Sequence, residues 1–228
     1  MLTEAEISVL YLSAQVALLA VACSIVPAIL LGWLLARWNS ALRAPLQALL
    51  MLPLVLPPVS TGYILLAVFG RSGPLGALWV QLTGSGIAYT TAACVIAAST
   101  VGFPLMVESV RLSVLGVDPR LEQVSRSLGR GRWATFARVT LPLSLPGLLA
   151  GAVLGFARAL GEFGATIVIA GNIEGETRTI PVAVYTLLNT PGNEAAVWRL
   201  VGLSVALCVA ALMAAFWLAA RQRKRAGA

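Results

Sequence analysis

Residues 122–147 read EQVSRSLGRGRWATFARVTLPLSLPG, a stretch that opens charged and closes apolar. Just upstream, Asp118-Pro119 offers a capping side chain and then proline at the first helical position, which predicts a helix start. Leu121, Val124 and Leu128 recur at i, i+3 and i+7 as one apolar stripe, with Arg120, Glu122 and Arg126 on other faces. Gly129-Arg130-Gly131 breaks that helix. A second short helix is expected to bury Trp133, Phe136 and Val139 before Leu141-Pro142 turns the chain into the next apolar run. Arg126 and Arg130, four residues apart, repel unless something acidic meets them. Two short helices with outward arginines suit either a docking surface for a second protein or an interfacial segment on anionic lipid headgroups.

Outward from this segment the chain is apolar. Of 228 residues, 59% are hydrophobic and 11% charged, where a soluble domain carries about 25% charged. Mean hydropathy is +0.89, so an integral membrane protein is expected. Five spans can be drawn, near 9–36, 46–69, 88–107, 145–169 and 197–220. All must be helical, because an apolar segment alone in lipid has to satisfy its own backbone groups. The expected fold class is thus all-α, five transmembrane helices in one domain over 1–228, with the 118–142 loop between spans three and four. The acidic start, MLTEAEIS, reads as the lead-in to a retained first span rather than a cleaved signal.

Lys and Arg set the orientation. Arg37, Arg43, Arg111, Arg120, Arg126, Arg130, Arg132, Arg138, Arg221, Arg223, Lys224 and Arg225 fall in one set of loops. Only Arg71, Arg178 and Arg199 fall in the other, so the first set is expected to be cytoplasmic, with the N-terminus outside and the C-terminus inside. Five spans are few for a polar pathway, which argues for a dimer.

The net charge of +7 sits in short clusters between apolar runs rather than among aromatics, so no nucleic-acid partner is expected. Cys23, Cys94 and Cys208 each stand alone in an apolar run, and the chain contains no histidine; they read as small buried hydrophobes rather than metal ligands. No GxxxxGK[ST] loop occurs, and the single lysine lies in the C-terminal tail. Neither a catalytic constellation nor a nucleotide site is therefore expected in this chain.

Two places in the apolar runs stand out. Arg158 and Glu162 are four residues apart in span four, and each would cost about 2.5–3.5 kcal/mol near the bilayer centre, which marks them as pathway or gate candidates. Mutual neutralisation is the plainer alternative. In span two, Pro53, Pro57 and Pro58 each remove a backbone donor and should kink the helix. Carbonyls freed by a kink survive only against protein or water, and Ser60, Thr61 and Tyr63 follow at once, so Pro57, Pro58, Ser60 and Thr61 are candidates for the pathway lining. A bend that merely improves packing is the alternative there.

The opening stretch also carries a family resemblance. The cytoplasmic signature of ABC-importer permeases is EAA, three residues, G, nine residues, I, one residue, LP. Here Gln123-Val124-Ser125 fills the triplet, with Glu122 one place early, Gly129 follows at the same gap, and Val139, Thr140, Leu141 and Pro142 close the pattern. The triplet departs from consensus while every spacing is kept. LPLVLPPVSTGYILL (52–66), RALGEFGATIVIAGN (158–172) and GETRTIPVAVYTLLNTPG (175–192) resemble the molybdate permeases of that family.

The resemblance implies a type I importer permease fold whose 118–142 loop is a coupling helix seated in a groove on a separate ATPase. Glu122, Gln123, Val124, Ser125, Gly129, Leu141 and Pro142 would be its coupling residues. It further implies a homodimer with two ATPase copies that bind the ATP, and a substrate-binding protein docking near 171–196 on the outer side. Bringing a dianion into a negative interior costs about 4.6 kcal/mol per 100 mV, near 10³-fold exclusion, so uptake of a trace oxyanion needs an energy source. Molybdate is the expected substrate, tungstate or another tetrahedral oxyanion the alternative. An ion-coupled transporter or channel without an ATPase is the rival from a different class.

Overall fold

The structure, a computed structural model, describes residues 3–226, with side chains 215, 216 and 218–226 left out of the description. The basic cluster at 221–225 therefore lies outside the described side chains. No strand occurs among the described residues.

Helix α1 (Glu4–Arg37) is a long span. Thr3 caps it by accepting the Glu6 N–H at 3.2 Å, while the Glu6 carboxylate accepts the Thr3 N–H at 2.8 Å. Next come α2 (Arg43–Val55) and α3 (Pro58–Phe69), which meet at 109° across Leu56-Pro57. Span two is thus a broken pair rather than a kinked helix. Proline at 57 and 58 removes two consecutive N–H donors, so the helical ladder cannot cross that point. Pro53, by contrast, is accommodated inside α2.

A short α4 (Pro74–Thr83), not expected from the sequence, ends at Gly84 in the left-handed region, φ 75°. Helix α5 (Thr91–Leu115) outruns the expected third span and carries Glu108 and Arg111, which pair with each other while Gln47 also reaches Glu108.

The loop then forms α6 (Pro119–Ser127) and α7 (Arg132–Thr135). A π-helical turn over Phe136–Thr140 leads straight into α8 (Leu141–Leu160), so Leu141-Pro142 does not turn the chain. Proline fits there because the wider π turn, with the Leu141 N–H on the Phe136 carbonyl, absorbs the lost donor within a continuing helix. After a break, α9 (Gly164–Ile169) completes the fourth span. Then α10 (Ile180–Leu188) leads to α11 (Glu194–Ala226).

Small residues bring the spans together. Ala17, Ala20, Ala93, Cys94, Ala97 and Ala98 form the α1–α5 core. Gly147, Gly151 and Gly155 line one face of α8 against α5: a Cβ at Gly147 would overlap the Ser113 side chain, and one at Gly155 would sit 2.7 Å from Met106 Sδ. Through these gaps Ser109 donates to the Gly147 carbonyl at 2.8 Å and Ser113 to the Ser144 carbonyl at 3.1 Å. Cys23 is exposed, contrary to the expectation that all three cysteines are buried, because its face of α1 borders an open groove. At the end away from the loop, Arg199 meets Glu6 at 2.9 Å and the Ile180 N–H donates to Ser13 Oγ at 2.7 Å, fixing α10 and α11 to α1.

Candidate functional site

Two arrangements gather the polar side chains of this apolar chain. The first is the loop. Asp118 caps α6 by accepting the Arg120 N–H at 2.9 Å, the local signal that Asp-Pro predicts. The helix turns its Glu122 and Ser125 face inward. The Glu122 carboxylate accepts from Thr140 Oγ1 at 2.7 Å and from Arg37 Nε at 3.2 Å, with Arg126 at 3.8 Å. Arg37 also donates to the Val117 carbonyl at 3.0 Å, and Ser125 bonds Thr135 at 3.1 Å. One buried carboxylate thereby ties α1, α6 and the π turn together.

With the polar face held inward, the apolar stripe points out. Leu121, Val124 and Leu128 are 48%, 59% and 75% exposed. Gly129 follows with φ +81°, a conformation disfavoured for residues bearing a Cβ, and the space around it is open. Trp133 does not bury as expected; it stays largely exposed while its ring packs 5.3 Å from Trp33, and Phe136 takes the inner position 4.7 Å from Trp33. Gln123 is exposed, Leu141 half-buried and Pro142 exposed.

The second arrangement lies within the spans. The break between α2 and α3 meets the break between α8 and α9. Gly164 is so close to Pro58, and Gly62 to Ala165, that a Cβ at either glycine would collide with its neighbour. Glu162, expected on the same helical face as Arg158, sits instead in the non-helical break 161–163. The two still meet, Arg158 Nη1 to Glu162 Oε2 at 2.7 Å, while Glu162 Oε1 accepts the Ala165 N–H at 2.8 Å. The mutual-neutralisation reading therefore describes the pair in this conformation.

Pro57, Pro58, Ser60 and Tyr63 are exposed along the first turns of α3. Thr61 is buried, and its hydroxyl has no hydrogen-bond partner among the described residues. Facing breaks of this kind are tolerated at membrane depth only against protein or a water-filled cavity. The sequence pointed to these residues by separate signals, proline chemistry at 57–61 and buried charge at 158 and 162; the fold makes them neighbours. It missed Tyr185, whose ring stands 5.1 Å from Phe163, and the Arg37–Glu122 pair, whose members lie 85 positions apart. No group of three or more His, Cys, Asp or Glu side chains suited to a metal occurs among the described residues.

Comparison with known proteins identifies the family and the fold that carry these residues. Residues 28–224 match the model of the family described as binding-protein-dependent transport system inner membrane component. The chain is 49% identical over 226 residues to the molybdenum transport system permease protein ModB of Escherichia coli K12, covering 99% of each chain. It is 45% identical to the Haemophilus influenzae protein of the same name over 97% of each. Among solved structures, it resembles a bacterial ABC transporter that imports alginate, with TM-score 0.75 at 14% identity over 96% of this chain and 80% of that one. The MetNI methionine ABC transporter, in an inward-facing conformation, gives 0.71 at 16% identity over 97% and 99%. These structural likenesses establish the type I ABC importer permease fold. The chain belongs to the binding-protein-dependent transport system inner membrane components, multi-pass membrane proteins, and within them to the molybdenum permeases.

Proposed function

We propose that this chain is the membrane-spanning subunit of an ATP-driven molybdate importer, working as a homodimer with two copies of a separate ATPase. The observation that carries the reading is the outward apolar ridge Leu121-Val124-Leu128 ending at Gly129, on a helix anchored from behind by Glu122. A ridge that is both rigidly backed and uncovered suits insertion into a groove on a partner that moves. In this reading Glu122 and Ser125 fix the helix, while Gln123, Val124 and Gly129 meet the ATPase. Leu141 and Pro142 carry its motion into α8. ATP is bound by the partner, and this chain supplies no catalytic group or cofactor site.

The loop end faces the cytoplasm, the N-terminus lies outside, and the extracytoplasmic binding protein delivers the anion near 171–196. The facing breaks at Pro57, Pro58, Ser60 and Thr61 and at Arg158 and Glu162 form the gate region. Discontinuous helices serve membrane transporters in this way, since their freed backbone groups can face a solute. The sequence relatives are the support for molybdate; tungstate, of the same charge and shape, is distinguished by competition in uptake assays.

Substituting Gly129→Val puts a β-branched residue at φ +81° and should uncouple the machine, with ATP hydrolysis persisting while molybdate uptake falls more than tenfold. Unchanged uptake would overturn the docking role. An ion-coupled carrier, in contrast, would never retain an ATP-binding protein when purified in mild detergent.

A further inference from the structure

A cavity of about 260 Å³ opens where the apolar run of α1 ends, lined by Trp33, Leu34, Arg37, Trp38, Arg126 and Arg132. Three guanidinium groups border it, and a single carboxylate, Glu122, answers two of them. Arg132 makes no ion pair among the described residues. Arg37 uses Nε and Nη2 on Glu122 and the Val117 carbonyl, leaving Nη1 free among its described contacts. The lining is thus a net cation with unused donors, set between two tryptophans, a residue that collects at membrane–water interfaces.

A second opening lies on the same side of α1. Cys23, Pro27 and Leu34 follow one another at steps of four and seven residues, which keeps them on one stripe of α1, and Trp38 caps the end of that helix. Cys23 and Pro27 border a mainly apolar groove of about 480 Å³ whose other walls are Leu49, Leu50 and Pro53 of α2 and Val95, Ile96 and Phe103 of α5, with the hydroxyls of Ser24, Ser99 and Thr100 also on its lining. Pro27 and Leu34 are separated by about 10 Å along the helix axis. A basic, aromatic-edged pocket thus stands below an oily groove, in line along one helix. That is the shape of an amphiphile with an anionic head.

We propose that the Arg37–Arg126–Arg132 cavity binds a phosphate, and that its source is an anionic phospholipid whose acyl chain lies in the Cys23–Pro27 groove. The shared chemistry, a phosphate oxyanion held by three guanidinium groups, would also admit free phosphate; the apolar groove in line with it favours the lipid. Bound there, the lipid joins α1 to both arms of the loop, because Arg126 precedes Gly129 and Arg132 follows it.

Native mass spectrometry of the intact, delipidated transporter titrated with phosphatidylglycerol or phosphatidylcholine tests this. One phosphatidylglycerol per protomer should be retained in preference to phosphatidylcholine. Each guanidinium near a membrane surface contributes about fivefold to anionic-lipid affinity, so the double variant Arg126→Gln/Arg132→Gln should hold it about thirtyfold more weakly. Arg138→Gln, exposed on the same segment but outside the cavity, should retain it as the unaltered protein does. Equal retention by the double variant and the unaltered protein would overturn the proposal. So would displacement of the lipid by millimolar inorganic phosphate, which would make the site one for a soluble oxyanion. Loss of the lipid whenever the ATPase is bound would assign the surface to the partner instead, and would equally overturn it.

Discussion

Two buried glutamates, each met by an arginine, hold this molecule in different ways. Glu122 collects Arg37 from α1, Thr140 from the π turn and Arg126 from its own helix, so it joins segments far apart in the chain. Glu162 binds Arg158 and the Ala165 N–H, both within four residues of it. The first is a cross-brace that fixes a loop against the bundle. The second staples the two sides of one helix break and, among the described residues, ties them to nothing else by charge. Around the break, contact with α3 rests on close packing at Gly164–Pro58 and Gly62–Ala165. The loop is thus braced across the bundle by charge, and the break only along its own stretch of chain.

The contrast can be broken first at Glu162. Glu162→Ala leaves Arg158 uncompensated at membrane depth and should cost about 3–5 kcal/mol, read as unfolding in detergent. Glu122→Ala leaves Arg37 and Thr140 without their acceptor, but at the end of the spans rather than inside one, and should cost about 2–3 kcal/mol by the same assay. A reversal of that order would mean the loop brace, not the staple, is the more desolvated of the two. Paired apolar replacements sharpen the difference. Arg158→Leu/Glu162→Leu should return to within about 1 kcal/mol of the parent, since both charges vanish together and one N–H is left over. Arg37→Leu/Glu122→Leu should stay about 1–2 kcal/mol below it, because the Val117 carbonyl and the Thr140 hydroxyl remain unpaired. The smallest effect is expected at Thr61, whose buried hydroxyl lacks a partner among the described residues. Thr61→Val should stabilise by about 0.5–1 kcal/mol, seen as a raised melting temperature. Lowered uptake in that stabilised variant would place the hydroxyl on the anion's route.

What could be read from the sequence follows local chemistry. Asp118-Pro119 announced a helix start, Gly129-Arg130-Gly131 announced its end, and spacing put Leu121, Val124 and Leu128 on one stripe; each depends on neighbours within a few residues. The prolines at 57 and 58 announced a disturbance, though not that it would reach 109°. Hydropathy did not register the break at 161–163, because Gly-Glu-Phe lies in a run that stays apolar on average while its backbone leaves the helix. Trp133 was assigned inward by spacing alone, and the π turn that follows it changes the phase on which such spacing depends. The Arg37–Glu122 brace, separated by 85 positions, and the Pro58–Gly164 contact exist only once the spans pack. No pattern within one helix could have announced them.

The glycine face of α8, seated on Ser109, Ser113 and Met106 of α5, has a mechanical consequence. Helices that close, with hydroxyls of one bonded to carbonyls of the other, have little freedom to splay or slide. Since the loop joins these same two helices, thrust on it cannot be lost by scissoring its own supports. If the loop is the coupling segment proposed above, the pair would respond as a single girder, and displacement at its foot would reach Arg158 at the far end of α8 and Glu162 just beyond it.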